Sequence, residues 1–367
     1  MRHFILIRIF LGYSNTEKVH DMEKVYPNFP FRVEFEVTSV CNLDCKYCYA
    51  KPFTWKTPSF QKMEYLFKKT KDEADPFEAV LVGGEPFIRK DMVSLIELAN
   101  NVFRRGVQIS TNGTLLSRLD KKQLLRLKNA VNNGASLQVS MDSFDPKVND
   151  VTRGKTKESI DGINTLEKSG IPFSVGIVFT NINSNDIVAT TSKLIKEYSY
   201  LVSLNLEPLQ PTSILGVEYF ELKQERTEMR KLFNLVNGVI RAHGRNEIKL
   251  YGIVEDCSAS VKFETPVLDK YAFKTCTAGL VRAAVFVDGS VTPCSLIRDI
   301  KIGNLYTDSW INIWQRSKER FESIKDSGVS QCAINLLQES KRNDSSFVSL
   351  AEVVERIEKR KKTVISK

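Results

Sequence analysis

Residues 31–48 read FRVEFEVTSVCNLDCKYC, an alternating run that leads directly into three closely spaced cysteines. The apolar members of the run recur at every second position, at Phe31, Val33, Phe35 and Val37. A period of two predicts a β-strand with one apolar and one polar face. The run therefore predicts a strand that places three thiols on a short loop at its end: Cys41, Cys45 and Cys48.

The three thiols predict an iron–sulfur cluster, because cysteine thiolates are the usual protein ligands of such clusters. Three ligands on a four-iron cubane leave one iron open, and an open position is what a catalytic metal site requires. Cys45 and Cys48 also form the C-x2-C pair of a zinc site. A structural zinc site, however, needs four ligands, and no matching cysteine pair or nearby histidine supplies the others.

Downstream of the cysteines, short apolar runs alternate with segments that carry apolar residues at helical spacing. The predicted strands are residues 79–82, 107–110, 137–141, 173–179 and 202–206. The predicted helices between them include residues 92–103, 120–130 and 158–168. Alternation of strand and helix is typical of a parallel α/β sheet. Six such units, counted from the first strand, predict an open or partial barrel over residues 31–215.

Beyond residue 215 the pattern changes. A long helix is predicted at residues 222–241, within a bridging segment of residues 216–250. Residues 251–340 hold the other four cysteines and predict loops with a hairpin, since Asp288-Gly289 between apolar runs is a strong turn signal. The basic segment 341–367 predicts a last helix near residues 346–361. Residues 1–30 form an N-terminal extension before the first strand.

The composition indicates a protein of a reducing compartment, and we expect it in the cytoplasm. Seven cysteines are an odd number, and three are too close together to pair, so metal-binding thiolates fit better than disulfides. No apolar run approaches the roughly 18 residues of a membrane span, so no membrane is expected. Lys and Arg number 53 against 44 Asp and Glu. Because aromatic residues do not interleave with the basic ones, nucleic acid is not an expected partner.

The C-x3-C-x2-C spacing, with the aromatic Tyr47 before the third cysteine, resembles the signature of the radical S-adenosylmethionine (SAM) superfamily. The resemblance implies an α/β fold with a partial (β/α)6 TIM-like barrel and a [4Fe-4S] cluster on the three cysteines. The amine and carboxylate of SAM would chelate the open iron. An electron from a donor such as a ferredoxin or flavodoxin would break the sulfonium bond. The 5′-deoxyadenosyl radical would then take a hydrogen atom from the substrate.

Further matches to this superfamily follow the predicted strands in order. They lie in the turns after the second and third strands, at the end of the fourth strand and at an arginine beyond it. The resemblance implies that these residues, together with Tyr47 of the signature, bind SAM: Gly83, Gly84, Glu85, Pro86, Asn112, Ser140, Asp142 and Arg153. Relatives usually have a glycine where this chain has Ser143. Because all these motifs follow strands of one parallel barrel, we expect them on the face where such barrels place their active sites.

A second set of cysteines resembles the SPASM and twitch extensions of radical SAM enzymes, which bind one or two auxiliary [4Fe-4S] clusters. Cys276-x12-Gly289-x4-Cys294 matches their opening. A full SPASM motif has four more cysteines, but Asn335 occupies the second of these positions and no cysteine follows Cys332. The resemblance thus implies one auxiliary cluster, on Cys257, Cys276, Cys294 and Cys332. The alternatives are a structural zinc site on the same thiolates, or buried cysteines in a domain without its cluster.

These resemblances imply a radical SAM oxidoreductase or maturase that acts on a peptide or protein side chain. One alternative is a dehydrogenase of a cofactor precursor or other small molecule, and another is a non-catalytic iron–sulfur or zinc scaffold. Ser295 argues against sulfatase maturation, because sulfatase-maturing relatives have an aspartate after the cysteine that matches Cys294. No residue is assigned as the catalytic base. The candidates are Glu207, near a predicted strand end, and Asp256, beside Cys257.

Overall fold

The computed structural model describes residues 28–51, 54, 56–103, 106–209, 222, 224, 226–252, 278–296, 298 and 300–325. The helix predicted near residues 346–361 lies outside the described residues. So do Cys257, Cys276 and Cys332, three of the four cysteines predicted to bind an auxiliary cluster, and the candidate base Asp256. Within the described part of the chain, no helix is long and apolar enough to cross a membrane.

The described residues form strands and helices that alternate along most of the chain. The strands are β1 (Arg32–Thr38), β2 (Glu78–Gly83), β3 (Val107–Thr111), β4 (Ala135–Ser140), β5 (Phe173–Phe179), β6 (Leu201–Pro208), β7 (Lys249–Gly252), β8 (Arg282–Val285), β9 (Ser290–Thr292) and β10 (Gly303–Asn304). The helices are α1 (Phe60–Ala74), α2 (Met92–Val102), α3 (Lys121–Asn132), α4 (Pro146–Thr152), α5 (Thr156–Ser169), α6 (Ile187–Glu197), α7 (Arg226–Ala242) and α8 (Trp310–Lys325).

One sheet holds all these strands, in the order β10-β9-β8-β1-β2-β3-β4-β5-β6-β7. Strands β1 to β7 each run parallel to their neighbours. Parallel neighbours need crossover connections, which are usually helices, and the helices between these strands serve as such connections. The predicted α/β fold is confirmed, and β7 adds a seventh parallel strand to the six that the sequence predicts.

The two faces of β1 explain why its alternating sequence folds as a strand. Its apolar side chains are fully buried: Val33, Phe35 and Val37. The ring of Phe35 meets the ring of Phe67 on α1 edge-on, with the centroids 4.9 Å apart. Because successive side chains alternate across a strand, the polar residues lie on the opposite face: Arg32, Glu34 and Glu36. One face of β1 thus packs on a helix and the other faces the barrel interior.

Polar side chains from β3, β4 and β6 meet inside the barrel. Gln108 Nε2 donates to Gln138 Oε1 at 3.1 Å, and the Asn205 amide donates to the same oxygen. Strand β5 lies between β4 and β6, and it allows the contact of Asn205 with Gln138 because it has a glycine, Gly176, at this level. A Cβ at Gly176 would lie 2.6 Å from Gln138 Nε2. At this level the barrel interior is lined with hydrogen-bonding amides instead of the apolar layers of a filled barrel.

The hairpin predicted near Asp288-Gly289 is confirmed, since β8 and β9 pair antiparallel on either side of it. Gly289 has a φ of 78°, which glycine adopts without steric penalty. Strand β8 also pairs with β1 in parallel, with Val285 opposite Phe35. The hairpin therefore extends the barrel sheet at the strand that leads into the cysteines.

The sequence patterns do not predict helix α8, which docks against α1. Trp310 and Trp314 of α8 are almost fully buried. The indole Nε1 of Trp310 donates to Thr70 Oγ1 at 3.0 Å, and its backbone N–H donates to Glu73 Oε2 at 2.8 Å. Two donors of one residue thus fix the C-terminal segment on the first helix of the barrel.

We expect Trp310→Ala to lower the free energy of unfolding by about 3–5 kcal/mol, the usual cost of truncating a buried tryptophan. The change also leaves the Thr70 hydroxyl without its indole partner. Urea denaturation followed by circular dichroism measures the difference. Ile311→Ala is the matched control, because Ile311 is 60% exposed. It should change stability by less than about 0.5 kcal/mol, and equal effects of the two changes would contradict this docking of α8.

Candidate functional site

The three signature cysteines lie on the segment that follows β1, residues 39–51, which we call the cysteine loop. Cys41, Cys45 and Cys48 are each partly buried and form no disulfide. Within the loop, the Cys48 N–H donates to the Cys45 carbonyl at 3.2 Å. The Lys46 N–H donates to the Thr152 carbonyl at 2.8 Å, which ties the loop to the end of α4. The loop thus lies at the carboxyl end of the first strand, where the sequence predicts it.

Burial controls the acidity of the three thiols. It raises the pKa of Cys41 to about 11 and that of Cys45 to about 12, and it also raises the pKa of Cys48. The guanidinium of Arg153 acts in the opposite direction on Cys45, without overcoming burial. In the absence of metal the thiols are therefore protonated at neutral pH, and a bound metal would have to displace these protons.

The turn at residues 83–86, which we call the glycine turn, packs its backbone directly on the end of β1 and the start of the cysteine loop. The Gly84 N–H donates to the Thr38 carbonyl and the Glu85 N–H donates to the Val40 carbonyl, both at 2.8 Å. A Cβ would lie 2.3 Å from the Thr38 oxygen at Gly83 and 2.2 Å from the Val40 oxygen at Gly84. No side chain fits at either position, so both glycines are required by this close approach of two backbones.

Glu85 connects the glycine turn to the end of β3. Its fully buried carboxylate accepts hydrogen bonds from Thr111 Oγ1 at 2.7 Å, from the Asn112 N–H at 2.6 Å and from the Phe87 N–H at 2.9 Å. Burial raises the pKa of Glu85, and these hydrogen bonds oppose the rise. The carboxylate is thus occupied within the protein and holds two turns together. Pro86 follows it as the first residue of a short 3-10 turn.

Asn112 links the end of β3 to the cysteine loop. Its Nδ2 donates to Asn42 Oδ1 at 3.0 Å, and its Oδ1 accepts from the Thr114 hydroxyl at 2.7 Å. Asn42 Nδ2 in turn donates to the Thr114 hydroxyl at 2.8 Å. Because Asn42 directly follows Cys41, this cycle of hydrogen bonds fixes the loop beside the first cysteine.

Three residues predicted from separate motifs meet on the other side of the loop. Asp142 is fully buried, accepts a hydrogen bond from the Tyr47 hydroxyl and lies 2.9 Å from Arg153 Nε as an ion pair. The guanidinium carbon of Arg153 lies 5.3 Å from the centroid of the Tyr47 ring. The Arg153 carbonyl also accepts a 3.7 Å contact from Cys45 Sγ. Aspartate, arginine and tyrosine thus brace the loop between its second and third cysteines.

Two further residues near the end of β4 complete this region. Ser140 is half-buried and lies opposite Gly176 of β5. Within the described part of the chain, its hydroxyl makes no hydrogen bond to Asp142, Tyr47 or Arg153. Ser143, which replaces the glycine usual in the superfamily, donates from its hydroxyl to Asp186 and accepts from the Asp145 N–H at 2.8 Å. The Ser143 hydroxyl therefore stabilises the start of α4. A glycine at this position could not make these hydrogen bonds.

Glu207 lies on the interior face of β6, one alternation beyond Asn205 toward the carboxyl end. Leu204 and Leu206 are fully buried on the other face, whereas Glu207 is exposed to the barrel interior. The surrounding protein raises the pKa of its carboxyl group by desolvation, and the positive charges of Arg32 and Arg153 act against that rise. Among the described residues, no hydrogen bond or ion pair engages this carboxylate.

The sequence patterns miss the residues that connect the cysteine loop to the C-terminal hairpin. Glu36 of β1 accepts a hydrogen bond from Arg298 Nη2 at 2.6 Å. Ser295, directly after the buried Cys294, lies with Tyr49 in the cleft between the loop and the hairpin. The alternation of β1 indicates that Glu36 faces the interior, but its partner is 262 residues away, beyond the reach of a local pattern.

Among the described residues, no group of three or more His, Cys, Asp or Glu side chains is arranged to hold a metal ion. The chemistry of the donors nevertheless fits an iron–sulfur cluster. Three thiols without disulfide partners share one loop and are partly accessible, and thiolates are the ligands such clusters take. The dense hydrogen bonding on both sides of the loop would hold its backbone while a cluster is bound.

Residues 35–194 match the family model of the radical SAM superfamily, and residues 276–335 match that of the SPASM iron–sulfur cluster-binding domain. Residues 35–194 are therefore a radical SAM domain. A SPASM domain follows it in the chain, as the sequence predicts. Both predicted resemblances are thereby confirmed, as are the cofactors that they imply, [4Fe-4S] clusters and SAM.

Several known proteins are similar to this chain. The sporulation killing factor maturation protein SkfB of Bacillus subtilis is 24% identical over 297 residues, which are 77% of this chain and 64% of SkfB. The GTP 3′,8-cyclase of Petrotoga mobilis is 27% identical over 298 residues, covering 78% of this chain and 87% of the cyclase. The solved structure of Streptococcus suis SuiB bound to its precursor peptide SuiA has a TM-score of 0.63 at 16% identity, covering 85% of this chain and 77% of SuiB.

We expect Gly84→Ala to destabilise the protein by about 1–3 kcal/mol, the usual cost of overpacking. The new Cβ would lie 2.2 Å from the Val40 carbonyl oxygen and would force the cysteine loop away from the glycine turn. Thermal unfolding measures the change. Gly238→Ala in α7 is the matched control, since nothing lies within 4 Å of its Cβ position. Because alanine is the better helix former by about 1 kcal/mol, the control should gain stability; a gain at Gly84 would contradict the close approach.

Proposed function

We propose that this enzyme reductively cleaves SAM to a 5′-deoxyadenosyl radical, which abstracts a hydrogen atom from a peptide or protein side chain. The position of the three signature cysteines is the observation that carries the proposal. They follow β1 at the carboxyl end of a parallel barrel, between the glycine turn and the Asp142–Arg153 ion pair. Such barrels place their active sites on this face.

The residues around the cysteine loop divide into two proposed roles. Cys41, Cys45 and Cys48 hold the [4Fe-4S] cluster, which supplies the electron for SAM cleavage when it is bound. Backbone groups of the glycine turn and three side chains contact SAM: Asn112 and Ser140 at strand ends, and Arg153 after α4. The buried carboxylates of Glu85 and Asp142 are already engaged by protein donors. We therefore assign both to positioning, with Asp142 orienting Tyr47 and Arg153.

A peptide substrate is supported by what is known of two similar proteins. SkfB is a maturation protein, and SuiB was solved with its precursor peptide. The similarity to GTP 3′,8-cyclase favours a second candidate, a small-molecule substrate. In either case Glu207 is the proposed substrate-facing carboxylate. It lies at the carboxyl end of β6, open to the interior, and can accept a hydrogen bond from a substrate N–H or O–H.

The rest of the proposal concerns the second cluster and the setting of the reaction. One auxiliary [4Fe-4S] cluster is assigned to Cys257, Cys276, Cys294 and Cys332. If the reaction is an oxidation, the enzyme is an oxidoreductase and this cluster can take the electron that the substrate radical loses. Thiolate-bound clusters suit a cytoplasmic protein, and so do the thiols of Cys41, Cys45 and Cys48, which form no disulfide. A ferredoxin or flavodoxin is the proposed electron donor.

We expect reconstituted protein with dithionite to convert SAM to 5′-deoxyadenosine, and a variant with Cys41, Cys45 and Cys48 all changed to Ala to lose this activity. The reason is that the three thiolates are the only proposed ligands of the cluster that donates the electron. Liquid chromatography of the product measures the conversion. Cys294→Ala is the matched control, a cysteine removed outside the loop, and should still cleave SAM.

Two outcomes would contradict this assignment. If the triple variant cleaves SAM at the wild-type rate, the cluster is not on the cysteine loop. If the wild-type protein holds a cluster but neither binds nor cleaves SAM, the chain is an iron–sulfur scaffold and not an enzyme of this class.

Iron analysis provides an independent test of the auxiliary site. We expect about eight irons per wild-type chain and about four in the triple alanine variant, since each cubane holds four irons on cysteine thiolates. Inductively coupled plasma mass spectrometry counts iron and zinc together. Four irons with one zinc in the wild type would support a structural zinc site in the C-terminal part instead. About twelve irons would mean that residues other than cysteine complete a second auxiliary cluster.

A further inference from the structure

A narrow cleft separates the cysteine loop from the C-terminal hairpin. Its lining includes charged and polar residues from both sides: Glu34, Glu36, Tyr49, Ser295 and Arg298. Tyr49 directly follows Cys48, and Ser295 directly follows Cys294. The cleft therefore lies between the loop proposed to hold the SAM-binding cluster and one proposed ligand of the auxiliary cluster.

Arg298 is held in this cleft from two directions. Its Nη2 donates to Glu36 Oε1 at 2.6 Å, and its guanidinium carbon lies 4.3 Å from the centroid of the Phe286 ring. The second oxygen of Glu36 accepts from the Val287 N–H at 3.5 Å. A planar guanidinium clamped by a carboxylate and an aromatic face has little freedom to turn away. Its positive charge is therefore fixed beside the strand that leads into the cysteine loop.

Low exposure makes this charge effective. The side chain of Arg298 is 21% exposed and that of Glu36 is 5% exposed. Charges that are partly removed from water interact more strongly and over longer distances than charges at the surface. The positive charge of Arg298 lies beside the cysteine loop, because Arg298 lines the same cleft as Tyr49, which directly follows Cys48.

We infer that the fixed positive charge of Arg298, on the C-terminal segment, raises the reduction potential of the cluster on the cysteine loop. The inference rests on the proposed function, since it requires a cluster on Cys41, Cys45 and Cys48. Reduction adds one electron from a low-potential donor to the cluster and makes it more negative. A fixed positive charge nearby favours the reduced state, and net charge is one of the factors that set such potentials. Glu36 partly cancels the effect.

Neutralising Arg298 and neutralising Glu36 should therefore shift the reduction potential in opposite directions. Arg298→Gln removes a positive charge and should lower the potential. At the wild-type midpoint its ratio of reduced to oxidised cluster should fall about threefold, which is ~28 mV at 59 mV per tenfold change for one electron. Glu36→Gln removes a negative charge from the same cleft, leaves Arg298 stacked on Phe286 and should raise the potential. Arg298→Lys keeps the charge and should stay near the wild type.

The measurement is a dithionite redox titration of reconstituted full-length protein, followed by electron paramagnetic resonance. The signal that changes on addition of SAM belongs to the cluster with an open iron and separates it from an auxiliary cluster. Arg316→Gln is the matched control. It removes a charge from the same C-terminal part, where Arg316 is half-exposed and pairs with Asp308, and it should leave the potential unchanged.

Opposite shifts in the two glutamine variants support the inference, whereas shifts in the same direction, or none, overturn it. A general loosening of the hairpin would expose the cluster in both variants and move both potentials the same way. A fall in Arg298→Lys as large as in Arg298→Gln also overturns the inference, because geometry and not charge would then be responsible. If Arg298→Gln does not take up a cluster, Arg298→Met, which keeps an apolar contact with Phe286, replaces it. A wild-type protein without a SAM-responsive cluster would instead refute the proposed function.

Discussion

The structure depends on the close approach of two backbones, the end of β2 and the start of the cysteine loop. Strands β1 and β2 are parallel neighbours, so they end at the same edge of the sheet. At that edge the N–H groups of Gly84 and Glu85 reach the carbonyls of Thr38 and Val40, and the space left would not hold a Cβ. The start of the loop that holds the three cysteines is thus hydrogen-bonded directly to the turn that ends β2.

This contact determines which other residues must surround the cysteine loop. Once the glycine turn lies on the loop, Glu85 is buried and needs donors, because an unsatisfied buried carboxylate is costly. The end of β3 supplies them through Thr111 and Asn112, and the Asn112 side chain bonds back to Asn42 beside the first cysteine. On the opposite side, Asp142 is buried with Arg153 and Tyr47. Breaking a buried ion pair costs on the order of 3–5 kcal/mol. The Asp142–Arg153 pair therefore opposes movement of the loop on one side, and the hydrogen bonds of Glu85 and Asn112 oppose it on the other.

The sequence predicts the parts of this arrangement that depend on local spacing. Alternation identifies β1, and the cysteine spacing, the glycine turn and the strand-end motifs together indicate the superfamily. It does not predict that Gly176 opens β5 so that Asn205 can bond to Gln138, or that Trp310 docks α8 on α1. These contacts join residues distant in the chain, and each residue taken alone resembles an ordinary strand glycine or an ordinary buried aromatic. The sequence does not predict the ion pair of Glu36 and Arg298 for the same reason.

Strand β1 connects the barrel to the C-terminal hairpin. It pairs with β2 on one side and with β8 of the C-terminal hairpin on the other, so it is an interior strand of the sheet. A barrel without the hairpin would leave the edge of β1 unpaired, immediately before the cysteine loop, and an unpaired edge is a liability. The hairpin therefore supplies the backbone partner of the strand that carries the loop, and Arg298 adds a charge at the same place. The C-terminal segment thus supports the strand that leads into the cysteine loop, whether or not it also binds a second cluster.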